Sequence, residues 1–166
     1  MNARITMVFA AAALALGAGE AFAHGEKKHA DAAKKEISKD EFAWGREGDP
    51  RKASRTIAIN MADTMRFSPS ELKVKRGDTV KFVVRNTGKT MHEMVIGTQE
   101  ELAKHAEVMK KHPGMEHDAP YMAHVEPGKK QEIAWTFTKA GTFMYGCLIP
   151  GHFEAGMKGA IRVTAK

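Results

Sequence analysis

The chain has 166 residues, with 26 Lys and Arg against 20 Asp and Glu, and a formal net charge of +6. This length suits a single domain with additional segments. The single cysteine excludes an internal disulfide framework, and it also excludes cysteine-only zinc and iron–sulfur sites. Eight histidines and eleven methionines are the unusual part of the composition, because both side chains are ligands for soft or borderline metals.

The N-terminal segment predicts an export signal that is not part of the fold. Arg4 precedes an almost wholly apolar run at 5–19, and the sequence Ala-Phe-Ala at 21–23 matches the small-x-small rule for cleavage. The apolar run is shorter than the roughly 20 residues that a membrane helix needs. We therefore expect a signal peptide at 1–23, cleavage before His24, export to the periplasm and no stable membrane insertion.

A polar leader is expected to follow the signal peptide, over residues 24–53. It is rich in Ala, Lys, His and Glu, and its few large apolar residues are Ile37, Phe42 and Trp44. A segment of this composition buries too little apolar surface to offset the entropy that it loses on ordering. The sequence therefore predicts a mobile, His- and Lys-rich leader in front of the folded domain.

The chain from residue 54 onwards reads as β structure. Apolar and polar residues alternate in short runs, and Gly, Asn and Asp mark turns between them. Strands are predicted at 56–59, 71–75, 79–84, 91–96, 131–137, 141–145 and 160–163. Short strands at this spacing predict an all-β sandwich with Greek-key connections over residues 54–166.

One segment between the predicted strands has a helical pattern. Thr98 is a predicted N-cap, and Glu101 three residues later completes a capping box. The helical stretch is expected to run to about Lys111, where Pro113 and Gly114 end it. A short helical insertion of this kind is compatible with a sandwich.

A set of soft metal ligands follows the strand predicted at 141–145. Cys147, His152 and Met157 form the pattern C-x₄-H-x₄-M on one loop. Two His, one Cys and a weak axial Met are the arrangement of blue-copper electron-transfer sites. The second imidazole must come from another strand, and His92 qualifies because it begins one. Zinc also accepts Cys and His but rarely takes Met. The simpler interpretations are core packing for Met157 and an inert buried thiol for Cys147.

These residues resemble the cupredoxins, the family of plastocyanin, azurin and rusticyanin, over residues 54–166 and most closely over 141–157. The resemblance implies the Greek-key sandwich and a type 1 copper ion held by three equatorial ligands and one axial ligand: His92, Cys147, His152 and, axially, Met157. The residue after the first histidine is often Asn in this family and is Glu93 here. The family uses that position in hydrogen bonds that steady the ligand loops, so this departure leaves two alternatives open, a blue site and a more distorted, greenish one.

Electron transfer without catalysis is the expected chemistry, because four protein ligands close such a site. Enzymes with several copper centres need further histidines and a second domain, and a dicopper centre of the cytochrome oxidase type needs two cysteines. Two functions remain. We favour an exported copper-handling protein that supports copper tolerance, and the alternative is a dedicated electron carrier between envelope redox proteins.

Surplus copper donors favour the first function. Seven lie within twenty residues: His105, Met109, His112, Met115, His117, Met122 and His124. On the predicted helix, the first three fall within an arc of about 60°. The α-amine and imidazole of a new N-terminal His24 also form a chelating pair. We predict weaker secondary copper sites at these residues, and the alternatives are a helix stripe packed on the sandwich and a solvated tail.

The positive charge is spread over lysine clusters at 27–39, 73–81, 104–111 and 129–130. These clusters have no interleaved aromatic residues and no nucleic-acid motif, so we expect no nucleic-acid partner. Solvated lysine faces are the simpler interpretation, and docking to an acidic redox partner is the functional one.

Overall fold

The computed structural model describes residues 36–113, 115 and 117–165. The predicted signal peptide, the predicted copper ligand His24 and the first part of the predicted leader lie outside these residues. In the described part of the chain, no helix has the length and apolar content needed to span a membrane.

Eleven strands, one α-helix and a short 3₁₀ helix at Pro50–Lys52 make up the described fold. The strands are β1 (Glu41–Phe42), β2 (Gly45–Glu47), β3 (Arg55–Ala62), β4 (Arg66–Ser68), β5 (Glu71–Lys75), β6 (Thr79–Asn86), β7 (His92–Gly97), β8 (Met122–Val125), β9 (Lys130–Thr136), β10 (Gly141–Gly146) and β11 (Lys158–Thr164). The helix, α1 (Gln99–Lys111), lies between β7 and β8 in the chain.

The strands form two sheets. One has six strands in the order β1-β2-β9-β6-β3-β4, and the other has five in the order β5-β11-β10-β7-β8. β3 pairs with β6, and β5 pairs with β11, in parallel, whereas the other pairs among the described residues are antiparallel. Both sheets are thus mixed, as crossover connections require. The predicted Greek-key β-sandwich with one short helix is confirmed.

Alternation along the strands places the main core between the sheets. In β6, every second residue is buried, namely Val80, Phe82 and Val84. Trp135 on β9 and Ile161 on β11 contribute to the same cluster from the two sheets. A fully buried side chain of this size contributes about 1.5–3 kcal/mol, so these predicted inward faces supply much of the driving force for folding.

Helix α1 packs against the outer face of the five-stranded sheet. It begins as predicted, because the Thr98 hydroxyl accepts a hydrogen bond from the N–H of Glu101 at 3.2 Å. Its buried residues form a second apolar cluster with Val95 of β7 and with Leu148. The residues that α1 buries are Leu102, Ala106 and Met109. This packing fixes the helix directly behind the strand that begins with His92.

The structure corrects the boundary predicted between the leader and the domain. Residues 36–52 belong to the same unit as the sandwich, and β2 pairs with β9. Trp44 is only 4% exposed, and its carbonyl accepts a hydrogen bond from the indole N–H of Trp135 at 3.0 Å. Phe42 and Tyr121 complete an aromatic cluster around these two rings. A few aromatic side chains and a sheet edge therefore order a stretch whose average composition is polar.

Candidate metal centre

A hydrogen-bonded loop between β10 and β11 carries three of the predicted ligands. The N–H of Cys147 donates to the carbonyl of Met157 at 3.0 Å, and the N–H of Met157 donates to the carbonyl of His152, also at 3.0 Å. The last residue of β10 pairs with the first residue of β11, so the sheet holds the two ends of the loop together. The pattern C-x₄-H-x₄-M thus folds into one short, closed turn.

His92 reaches this loop from the neighbouring strand. β10 pairs with β7, whose first residue is His92. One ring nitrogen of His92, one of His152 and the sulfur of Cys147 lie within 4.8 Å of one another. The Cys147 sulfur lies 3.3 Å from Nδ1 of His152, and the two imidazole centroids are 5.1 Å apart. The structure therefore brings together the three residues predicted as equatorial ligands.

The buried ring nitrogen of His92 shows that this cluster fits a metal ion. Nδ1 of His92 is buried and has no hydrogen-bond partner among the described residues. Such an atom is costly to bury unless it binds something, because buried polar groups are almost always paired. The His92 ring, a second imidazole and one sulfur together are the donors that a borderline or soft metal prefers. The residues present thus fit copper.

Asp63, which sequence analysis missed, holds the other side of the His92 ring. Its Oδ1 lies 3.0 Å from Nε2 of His92. The backbone N–H of Lys89 and the hydroxyl of Thr90 also donate to this carboxylate and hold its pKa well below its usual range. A permanently charged carboxylate favours a proton on Nε2, which leaves the lone pair of the ring on the buried Nδ1. Asp63 also lies close to the backbone of the turn before β7, since a side chain at Gly88 would collide with its carboxylate.

Glu93, one residue after His92, points to the opposite face of β7 and ties three elements together. Its Oε1 accepts a hydrogen bond from the N–H of Leu148 at 2.7 Å, and its Oε2 lies 2.9 Å from Nε2 of His124 on β8. Its backbone N–H lies 3.5 Å from the Cys147 sulfur. Glu93 is only 2% exposed. The carboxylate therefore performs the loop-steadying role that the resemblance gave to this position.

Burial controls the protonation of the candidate ligands. Burial raises the pKa of the Cys147 thiol to about 12, so the thiol keeps its proton at neutral pH until a cation displaces it. Burial, followed by the charge of His92, lowers the pKa of His152 below its usual value. The imidazole of His152 is therefore neutral at pH 7, which is the form that binds a metal.

Met157 lies beside these groups and is fully buried. It belongs to the main core cluster, as the core-packing interpretation predicts. Its backbone is hydrogen-bonded to the backbone of Cys147 and of His152 in the same loop. Both roles suit a thioether, which fills irregular core space and also binds copper weakly. Its axial role remains a prediction.

Comparison with known proteins identifies the family. Residues 53–164 match the family model described as copper binding proteins, plastocyanin/azurin family. This chain belongs to that family. Copper is the cofactor that the match assigns to the cupredoxin, in agreement with the donor set described above.

Two relatives of the cupredoxin carry the same name, copper-resistant cuproprotein CopI. The protein from Rubrivivax gelatinosus is 51% identical over 120 residues, which cover 72% of this chain and 73% of the relative. The protein from Pseudomonas aeruginosa is 35% identical over 153 residues and covers 73% of this chain and 82% of the relative. The similarity thus extends over most of each relative.

Solved structures resemble the fold of the cupredoxin. Reduced auracyanin from Roseiflexus castenholzii aligns with a TM-score of 0.59 and 25% identity and covers 68% of this chain and 98% of that chain. An azurin from Methylomonas sp. strain J aligns with a TM-score of 0.53 and 20% identity, over 67% of this chain and 98% of that chain. The second similarity concerns the fold alone.

The residues predicted as secondary copper ligands fall into three groups. Met109 and Met122 are buried in the second apolar cluster, where they pack as core side chains. His112 and Met115 are exposed at the end of α1 and just after it. The remaining three histidines lie near one another between α1 and β8: His105, His117 and His124. The structure thus splits the predicted region, and it leaves three of its four histidines close together.

Proposed function

We propose that this cupredoxin is an exported, redox-active copper protein that supports copper resistance. It would hold one type 1 copper ion through four side chains: His92, Cys147, His152 and Met157. The observation that carries this proposal is the buried Nδ1 of His92, which has no hydrogen-bond partner among the described residues and belongs to a ring that lies beside Cys147 and His152. The name shared by the relatives, copper-resistant cuproprotein, supports the physiological role.

The protein would contribute a preorganised environment to the chemistry of copper, which when bound supplies one-electron exchange. The sheet pairing of β7, β10 and β11 fixes the positions of the donors without the metal. Asp63 orients His92, and the carboxylate of Glu93 holds the backbone beside Cys147. A rigid ligand cage limits rearrangement between oxidation states, which favours fast electron exchange rather than turnover of a substrate.

Absorption spectroscopy of the copper-loaded protein tests the site. We expect one Cu(II) per chain to give an intense thiolate-to-copper band. Cys147→Ser should abolish this band, because the chain has no other cysteine. Met109→Leu, a substitution in the core beneath α1, is the matched control and should keep the band. A colourless copper-loaded wild type would contradict the proposal.

Growth of a strain that lacks the protein tests the physiological role. Sensitivity to high copper supports copper resistance. A respiratory or photosynthetic defect at normal copper would instead support the alternative, an electron carrier between envelope proteins. On chemical grounds the donor set supports the electron carrier as well as it supports the copper-resistance protein, since a closed site with four ligands suits either role.

A redox partner would meet the protein near the ligand loops. Lys89 in the turn before β7 and Lys158 at the start of β11 are exposed, and both adjoin segments that carry candidate ligands. Positive side chains at this position would steer an acidic partner protein to the end of the sandwich where His152 is only half-buried. A fall in the electron-transfer rate with rising salt concentration would support such docking.

A further inference from the structure

Three histidines form a cluster outside the candidate copper centre. His105 lies on α1, His117 follows that helix, and His124 lies on β8. The ring centroid of His117 lies 4.8 Å from that of His105 and 6.5 Å from that of His124. Residues from three separate segments of the chain thus place their imidazoles together behind β7.

The spacing of these rings suits imidazoles that share one metal ion. With a metal–nitrogen distance of about 2.0–2.1 Å, each ring centroid lies about 3.2 Å from the ion, so two rings on one ion are about 4.5–6.4 Å apart. The distance of 4.8 Å between His105 and His117 lies within this range, whereas the 6.5 Å between His117 and His124 lies just above it, so the ring of His124 has to turn towards the ion on binding. For comparison, the two histidines of the candidate copper centre, His92 and His152, have centroids 5.1 Å apart.

The protonation and packing of the cluster also suit a metal ion. Nδ1 of His117 is buried without a hydrogen-bond partner among the described residues. Burial and the neighbouring His117 lower the pKa of His105, which keeps its ring neutral. Three crowded imidazoles would repel one another if protonated, whereas neutral rings are metal ligands. A cation among them would satisfy the orphaned nitrogen.

Glu93 orients one member of the cluster from behind. Its Oε2 lies 2.9 Å from Nε2 of His124, and the two residues are cross-strand partners in the β7–β8 ladder. A carboxylate that accepts a hydrogen bond from a ligating imidazole fixes its ring and strengthens its lone pair, as Asp63 does for His92. Both histidine clusters therefore have a supporting carboxylate.

We propose that His105, His117 and His124 bind a second metal ion, Cu(II), separate from the type 1 ion. Nitrogen donors favour Cu(II) over Cu(I), and Cu(II) forms the most stable complexes of the divalent first-row metals with such donors. The methionines that would favour Cu(I), Met109 and Met122, are buried in the apolar cluster. The second ion would give a weakly coloured site, because no thiolate lies among its ligands. This site goes beyond the proposed function and does not require it.

Titration of the full chain with Cu(II) tests the second site. We compare the wild type with the double variant His105→Ala/His117→Ala. Equilibrium dialysis measures the bound copper, and the electron paramagnetic resonance spectrum is recorded after each added equivalent of Cu(II). The double variant should bind one copper fewer than the wild type and should lose a signal with nitrogen hyperfine structure. The intense thiolate band should be unchanged, which also shows that the variant is folded. His112→Ala, which removes an exposed histidine of the same segment, should behave as the wild type.

Three results would overturn the second site. Equal copper stoichiometry in the wild type and the double variant shows that the cluster binds none. Loss of one copper in His112→Ala as well shows binding by any surface histidine. A site that takes Zn(II) and rejects Cu(II) contradicts the metal assignment. If the double variant lacks the thiolate band and is therefore not folded, the single variant His117→Gln is measured in its place, and the same results overturn the site. A wild type without a thiolate band contradicts the type 1 site alone, since the second copper is counted separately.

Discussion

The carboxylate of Asp63 lies 3.0 Å from Nε2 of His92, on the side of the ring opposite to the candidate copper position. The contact joins the turn after β3 to the first residue of β7. Because the N–H of Lys89 and the hydroxyl of Thr90 also bind this carboxylate, Asp63 fixes both the ring and the turn that leads to it. The geometry of the first candidate copper ligand thus depends on a residue on the far side of its ring.

Asp63→Ala is expected to weaken copper binding by about 10–100-fold, because the His92 ring loses the group that sets its orientation and tautomer. Competition with a chelator of known affinity measures the change. Asp49→Ala is the matched control: Asp49 also has a lowered pKa, but its partner is Arg51 at the 3₁₀ helix. Equal affinities in Asp63→Ala and Asp49→Ala would refute the orienting role.

Glu93→Ala is expected to destabilise the apoprotein by about 1–3 kcal/mol, because it leaves the buried N–H of Leu148 without an acceptor. Glu93→Gln keeps an oxygen that can accept this hydrogen bond, so its free energy of unfolding should fall by less. Denaturant unfolding of the two variants measures the difference. If both lose the same stability, the hydrogen bond to Leu148 is not the source of the effect.

Copper binding at the type 1 site above pH 7 is expected to release one proton. The thiol of Cys147, whose pKa burial raises to about 12, must give up its proton, whereas His152, whose pKa is lowered, is already neutral. The apparent affinity should therefore rise about tenfold per pH unit from pH 7 to 9. Calorimetry in buffers of different ionisation enthalpy counts the protons. Release of no proton in the wild type would show that the thiolate exists before copper arrives.

Met157→Leu is expected to keep the intense band and to raise the reduction potential, because a weak donor that favours Cu(II) is lost. Protein-film voltammetry measures the shift. Met109→Leu removes a buried thioether from the cluster beneath α1 and should leave the potential unchanged. A potential that does not move in Met157→Leu would assign that residue to core packing alone.

A chain that begins at Ser54 is expected to be less stable to denaturant than one that begins at His24. The shorter chain lacks Trp44, which is 4% exposed, and loses β1 and β2. Removing a buried aromatic side chain costs about 3–5 kcal/mol. Trp44→Ala in the full chain checks the cause, and equal stability of all these proteins would restore the boundary predicted at residue 54.

The parts of the fold that sequence predicts are those with local patterns. Alternation along β6 is visible because Val80, Phe82 and Val84 are consecutive inward positions of one strand. The capping box at Thr98 predicts the first turn of α1 for the same reason, since all of its partners lie within four residues. The C-x₄-H-x₄-M pattern is equally local, because one loop carries three donors.

The features that sequence does not predict depend on contacts between distant residues. Asp63 meets His92 only because the turn after β3 packs against the start of β7, and no local pattern marks that contact. β8 is only four residues long and lies in a His- and Met-rich stretch, which hides its strand character. The segment around Trp44 is ordered by Trp135, far away in the sequence.

The parallel pairing of β5 with β11 has a consequence for the order of events during folding. This ladder joins residues 71–75 to 160–164, and the antiparallel pairing of β10 with β11 closes the ligand loop from the same strand. Contacts between such distant segments form slowly, because the chain must lose much of its freedom before they stabilise it. Since the last strand clamps the loop that presents the cysteine, the ligand cage is completed only when the C-terminal residues have docked. We therefore expect metal capture in this protein to follow the assembly of the sandwich and not to nucleate it, in contrast to small domains that fold around their ion.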